Sequence, residues 1–176
     1  MKFTATPLPG AFVIDLELVR DERGLFARSF CRNEFAALGL ETTPVQCNVS
    51  HNIAAHTLRG MHYQAAPHED AKLVSCAQGA IYDAIIDLRP GSPTYHRWFG
   101  LELTADALTM LYVPQGFAHG FLTLTAGARV LYQMFERYHP ESARGVRWDD
   151  PAFAIAWPHP PSVISARDGG YPLCAS

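Results

Sequence analysis

Thr57-Leu58-Arg59-Gly60-Met61-His62-Tyr63-Gln64 gathers a cation, a glycine, an imidazole, a phenol and an amide into one short stretch. Arg59 is permanently charged and presents a planar fork of donors suited to phosphate or carboxylate. His62 can take and return a proton near neutral pH, since an imidazole has an ordinary pKa of about 6.5. Leu58 and Met61 interrupt these groups at a spacing that fits a strand rather than a helix. On a regular strand the side chains alternate faces. Arg59 and Met61 then share one face, and His62 shares the other with Gly60 and Gln64. A kink at Gly60 would turn Arg59 and His62 toward one cavity; without it, the stretch reads as an edge strand with polar groups facing water.

A second segment, Pro114-Gln115-Gly116-Phe117-Ala118-His119-Gly120-Phe121, delivers a histidine onto a strand from a stiff turn. Proline fixes φ and glycine accepts a positive φ. The segment resembles the second motif of the cupin barrels. Metal-binding cupins also carry an earlier His-x-His with a nearby Glu. Here the corresponding region reads His62-Tyr63-Gln64, and His68 and Glu69 are adjacent, so on a strand they would point to opposite faces. No catalytic metal or other cofactor is therefore expected. Proton transfer then falls to side chains, and the further candidates are Lys72 and Tyr132. Taken singly, Tyr132 reads as a packed ring with one hydrogen bond, His119 as a core histidine, and Lys72 as an exposed lysine at a strand start. A metal-dependent cupin such as a dioxygenase is the alternative from a different class, and a non-catalytic binding module is a third.

The elements that must position these groups are strands. The 176 residues fit one domain, 1–176, and 48% of them are hydrophobic. The net charge is -3 with no basic block, which argues against nucleic acid or an anionic membrane as partner. Single arginines beside aromatics and glycines suit a small anionic ligand. No signal peptide is visible, and no run approaches the roughly 18 apolar residues a membrane span needs. Cys31, Cys47, Cys76 and Cys174 form no CxxC pair, which predicts reduced thiols in a cytoplasmic protein.

Strands are predicted over 12–19, 25–30, 45–50, 72–77, 80–88, 95–103, 109–113, 118–124 and 129–138, with the opening stretch among them. A short helix is expected over Glu34–Leu38, capped by Asn33 and stopped by Gly39. The strand from Ala80 places Ile81, Asp83, Ile85 and Asp87 on one face, either a solvated side or a lined cavity. After Pro140 the chain reads as irregular. Many short strands with turns between them indicate an all-β sandwich or barrel, and small barrels often hold a ligand where inward residues meet.

Taken together, the segments resemble the dTDP-4-dehydrorhamnose 3,5-epimerase family. The resemblance runs from Arg23-Gly24-Leu25-Phe26 through Leu58–Gln64, Lys72-Leu73-Val74, Asp87-Leu88-Arg89, Ser92-Pro93-Thr94 and Pro114–Phe121. It continues through Leu131-Tyr132 and Arg147-Trp148-Asp149-Asp150-Pro151 to Ser165-Ala166-Arg167-Asp168. It implies an all-β cupin (double-stranded β-helix, jelly-roll) barrel with a few short helices, free of metal and working as a homodimer. It implies an isomerase that inverts carbon 3, carbon 5 or both in a nucleotide-diphospho-4-keto-6-deoxy sugar. A mono-epimerase or 3,4-ketoisomerase is the alternative within it. By the resemblance, His62 is the base, Tyr132 the acid on the opposite face of the sugar, Asp168 the partner of His62, and Lys72 the cation beside the enolate oxygen. His119 would bind near the ketone. Arg23 and Arg59 would hold the diphosphate with Gln46 and Asn48 nearby, Phe26 and Tyr138 would contact the base, and Arg28 and Arg167 are further substrate-binding candidates. Asp83 would orient a pocket histidine. Arg28, Cys47, Gln133 and Ala143 depart from residues usual in the family, and Arg28 and Ala143 stand where the family contacts the nucleotide. Thymidine is therefore left open as the base.

Overall fold

The computed structural model describes residues 1–174; the last two residues of the domain expected over 1–176 lie outside them. In chain order the elements begin with β1 (Lys2–Ala5), β2 (Phe12–Asp15), β3 (Leu18–Asp21), β4 (Gly24–Ala27) and α1 (Arg32–Ala37). Next come β5 (Gln46–Asn52), β6 (Thr57–Gln64), β7 (Lys72–Gln78) and β8 (Ala80–Asp87). The main strands end with β9 (Trp98–Thr104), β10 (Met110–Val113), β11 (Phe117–Thr123) and β12 (Ala128–Met134). The C-terminal part adds β13 (Ala143–Gly145), β14 (Val163–Ile164) and α2 (Ala166–Gly169).

Two sheets face each other. One runs β1-β2-β10-β7-β12-β5, the other β13-β6-β11-β8-β9 with β14 beside β6. Neighbouring strands are antiparallel except β14 on β6. This is the jelly-roll barrel expected of the sequence. Val74, Leu111 and Val130 on the first sheet and Ile85, Phe117 and Phe121 on the second share the core cluster between the sheets. A second cluster joins Leu73, Met110 and Tyr112 to Phe35 of α1. A third joins Met61, Ile86 and Ala118 to Val146 and Phe153 of the C-terminal segment. Several strands are thus buried on both faces, which explains why β11 is buried from end to end. Fully burying a side chain such as Phe35 stabilises by roughly 2–3 kcal/mol.

The structure departs from the sequence expectation in local ways. The strand read over 12–19 breaks into β2 and β3, because β3 leaves the main sheet to pair with β4. The strand expected through Phe30 stops at Ala27, so Arg28 lies beyond it. Asn33 is not the cap of α1: Cys31 holds that position without a side-chain capping bond, since the helix begins two residues earlier than expected, at Arg32. The irregular tail contains β13, β14 and α2. Their pairing comes from the edge and end of β6 rather than from any pattern of their own.

Asp87 shows how a buried carboxylate fixes a turn. It accepts hydrogen bonds from the Arg89 guanidinium at 2.8 and 2.9 Å, from Ser92 Oγ at 2.6 Å and from Thr94 Oγ1 at 2.7 Å. Burial pushes its carboxyl up, but Arg89 and the two hydroxyls outweigh burial and hold it well below the usual carboxylate range. A carboxyl whose folded pKa is depressed adds stability that is complete above its unfolded value and is lost as pH falls through the folded value. Asp87→Asn should therefore cost about 3 kcal/mol near neutral pH, read from denaturant midpoints. The gap between wild type and variant should narrow as pH falls below about 4; a gap that stays constant down through that range would contradict this account.

Candidate active site

The site is built around an irregularity in β6. His62 pairs with His119 of β11, but Arg59 pairs with Phe121, so three residues on β6 span what two span on β11. One extra residue shifts the alternation of side chains, and Arg59 and His62 both reach the same cavity. Of the two readings of this stretch, the one with a kink at Gly60 is therefore present. Gly60 has φ +135°, and a Cβ there would lie 2.5 Å from Gly120 Cα. Neither the backbone angle nor the space admits a side chain.

The cavity has a volume of about 400 Å³ and lies between the two sheets. His62 on β6 and His119 on β11 enter it from one sheet. Tyr132 on β12, Lys72 on β7 and Gln46 and Asn48 on β5 enter it from the other. An imidazole and a phenol thus stand on opposite walls of one chamber. Arg59, Arg167 and Tyr138 also line it.

Each central group has a fixed partner. His62 Nε2 lies 2.8 Å from Asp168 Oδ1, and the second carboxylate oxygen accepts the Gly60 N–H at 3.2 Å. Asp168 sits in the first turn of α2, whose cap Ser165 accepts its amide N–H at 3.0 Å. Burial pushes the Asp168 carboxyl up, but the hydrogen bond and charge of His62, with the Gly60 amide and Ser165, bring it below its ordinary value. An ionised carboxylate only accepts, so the imidazole donates its Nε2–H and keeps the lone pair of Nδ1 for a proton.

Lys72, which by itself reads as an exposed strand-start lysine, is only 5% exposed. Its ammonium lies 2.8 Å from the buried Asp70 carboxylate, whose other oxygen accepts the Gln64 N–H. Its position as the first residue of an inner strand, paired between β10 and β12, explains the burial. His119 Nε2 lies 2.8 Å from Asp83 Oδ1, and the mixed face of β8 is neither a solvated side nor a cavity wall: Ile81, Asp83, Ile85 and Asp87 are all buried, and none of them lines the cavity. Asp83 is the partner of a pocket histidine, as the resemblance implies. The Tyr132 ring meets His119 edge-on at 6.1 Å. Burial, then the nearby Asp83 charge, pushes the Tyr132 phenol well up, with Arg59 opposing.

Three predicted residues lie elsewhere. Arg23, Phe26 and Arg28 belong to or follow the β3–β4 hairpin and do not line this chain's cavity. Arg23 is tied to Asp21 and Arg28 to Glu34, while Phe26 is 74% exposed. Other groups escaped the sequence reading. Asp70 was hidden in a polar loop, and Asn52, which accepts the Arg59 Nε–H at 2.8 Å, lay past the end of the strand expected over 45–50. Arg137 and Arg144 add two more cations to the cavity lining. Their signal was present as further single arginines near aromatics. Ala143, one of the departures from the family pattern, also faces the cavity.

A jelly roll that sets proton-carrying side chains on facing walls, under a ring of arginines, defines a cupin suited to acid–base work on an anionic ligand. Residues 5–176 match the family model described as dTDP-4-dehydrorhamnose 3,5-epimerase. A relative of that name from Salmonella typhimurium is 38% identical over 170 residues, covering 96% of this chain and 92% of the relative. The crystal structure of the Bacillus anthracis str. Ames enzyme of that name, with TDP and PPi bound, superposes with a TM-score of 0.94 at 40% identity, covering 98% of this chain and 99% of that one. A dTDP-6-deoxy-D-glucose-3,5-epimerase from Legionella pneumophila, in complex with dTDP-4-keto-L-rhamnose, gives 0.92 at 36% identity, covering 98% and 92%. The chain belongs to the dTDP-4-dehydrorhamnose 3,5-epimerase family, and it is an isomerase of the epimerase type.

Proposed function

We propose that the protein inverts carbon 3, carbon 5 or both of a nucleotide-diphospho-4-keto-6-deoxy sugar, of the dTDP-4-dehydro-6-deoxyglucose kind, by side-chain acid–base chemistry. The observation that carries this reading is the placement of His62 and Tyr132 on opposite walls of one cavity with Lys72 beside them. A ketone at carbon 4 acidifies the protons on the neighbouring carbons. His62 removes one of them with Nδ1, and Asp168 steadies the resulting imidazolium through Nε2–H. The electrons pass into an enolate, whose oxygen Lys72 and His119 stabilise with preset charge and hydrogen bonding. Tyr132 returns a proton from the other side of the ring, which inverts the centre. Arg59 and Arg167 hold the diphosphate, with Gln46 and Asn48 alongside and Tyr138 against the base. Binding energy gained there positions the ring without touching the reacting carbons.

The protein acts as a homodimer in this reading. The β3–β4 hairpin stands apart from both sheets and exposes Val19, Leu25 and Phe26. Val49 on edge strand β5 is also exposed. A second copy of the chain covers these side chains and receives Arg23, Phe26 and Arg28 at the mouth of its cavity, which reconciles their predicted role with their distance from this chain's own site. Sedimentation should give a dimer at micromolar concentration; a monomer that turns over substrate normally would remove this part of the proposal. Among the described residues no helix is long and apolar enough to cross a membrane. A cytoplasmic location, where sugar nucleotides are made, fits the reading.

Incubation of dTDP-4-keto-6-deoxyglucose with enzyme in heavy water, followed by NMR, tests the activity. Deuterium enters carbon 3, carbon 5 or both, and the pattern identifies which centres are inverted. Parallel reactions with other nucleotides report on the base, where Arg28 and Ala143 depart from the family. No deuterium at either carbon with any 4-keto sugar nucleotide would overturn the proposal.

A further inference from the structure

The loop between β6 and β7 meets the turn after β12 at the rim of the cavity. There His68, His139 and Glu141 bring three ligand atoms within 4.8 Å of one another. The two imidazoles lie face to face, with ring centroids 3.6 Å apart and planes 4° from parallel. His139 has a carboxylate at each nitrogen: Glu141 Oε1 lies 3.2 Å from Nδ1 and Glu136 Oε1 3.6 Å from Nε2. The backbones beneath are already joined by one side chain. Gln64 Nε2 donates to the carbonyls of His68 and Arg137, both at 2.9 Å, and its Oε1 accepts the His139 N–H at 2.6 Å.

We propose that His68, His139 and Glu141 form a site for one divalent transition-metal ion of the zinc type, separate from the chamber of proton transfer, which clips the β6–β7 loop to the turn after β12. Two imidazoles and a carboxylate are a donor set for ions such as Zn²⁺, whereas Mg²⁺ prefers oxygen ligands and retained water. Metal–ligand bonds of about 2.0–2.2 Å bring tetrahedral donors to about 3.3–3.6 Å apart, so the three side chains draw inward on binding. Each ring turns about its Cβ–Cγ bond so that its in-plane lone pair converges on the ion. Gln64 grips backbone atoms and leaves both rings able to turn. Glu141 is exposed and can swing in. Glu136 then orients His139 through the nitrogen the metal does not use, as outer carboxylates commonly do for ligating histidines.

The clip acts on the rim. The β6–β7 loop carries Asp70, the partner of Lys72, and the turn after β12 carries Arg137 and Tyr138, which line the cavity. Neither histidine is itself among the residues that line that chamber, so the proposal stands whether or not the assigned proton chemistry is correct.

The test uses the full chain stripped with a chelator and then dialysed against Zn²⁺. One Zn²⁺ per chain and a rise in Tm are expected for wild type, with no rise from Mg²⁺ at the same concentration. In His68→Ala and His139→Ala the Zn²⁺ affinity should fall at least about 10-fold and the Tm rise should vanish. Both variants should keep the wild-type Tm in chelator, because the Gln64 bonds engage main-chain atoms. The exposed Glu141→Gln gives a third reading that leaves the histidines in place, and it too should weaken Zn²⁺ binding. Wild type that binds no stoichiometric Zn²⁺, or binding undiminished in all three variants, overturns the proposal. Chelated wild type should still epimerise its substrate.

Discussion

His62→Ala abolishes the entry of solvent deuterium at the carbons beside the ketone and lowers epimerisation by at least about 10³-fold, within the range that loss of a general base produces. Binding of the sugar nucleotide stays within about threefold, because a group that acts only in the transition state lowers kcat rather than raising KM. The size of the effect follows from the surroundings of the imidazole. Asp168 occupies its Nε2–H, and the extra residue in β6 aims the ring into the chamber. No other described group has both features. The remaining histidine of the chamber, His119, is engaged with Asp83 on the neighbouring strand of the same sheet. The measurement is the NMR exchange reaction alongside calorimetric titration with dTDP. Exchange at the wild-type rate would assign proton removal to another base.

Tyr132→Phe has a different signature. Inversion falls about 10²–10⁴-fold, yet deuterium still enters the substrate with its configuration kept. His62 can remove a proton and return a deuteron from its own side, whereas only Tyr132 reaches the other wall. The phenol is suited to this part. Burial, and then the Asp83 charge, hold its pKa well above the ordinary value, with Arg59 opposing, so it stays protonated until a carbanion forms. Measured side by side, the two rates separate the roles: exchange that is lost together with inversion would show that Tyr132 is needed for the first proton transfer. Inversion unchanged from wild type would remove it from the mechanism.

Much of this was legible in the chain because strand chemistry is local. The alternation of β8 and β12, the Pro-x-Gly turn before His119 and the Arg-Gly-Met-His stretch each name an element and a group. The kink at Gly60 could be suspected but not established from sequence, because the close approach it accommodates is to Gly120 on another strand. The burial of Lys72 was hidden for a similar reason: its counter-charge, Asp70, sits in a loop whose composition looks solvated. Asn33 resembled a helix cap, but the helix begins at Arg32 and is anchored to the core through Phe35. The hairpin residues Arg23, Phe26 and Arg28 carry a family pattern, yet one chain alone gives them no ligand to face.

The two-sheet construction also bears on how such a protein can diversify. The walls that carry His62 and Tyr132 are joined by the interior packing of Val74, Val130 and Phe121, whereas the proposed nucleoside contacts lie on Tyr138 and on the β3–β4 hairpin. In the proposed reading, proton transfer and recognition of the carrier thus fall to separate parts of the chain. Under the proposed mechanism, surface segments can change the carrier while the gauge between the two walls stays in place.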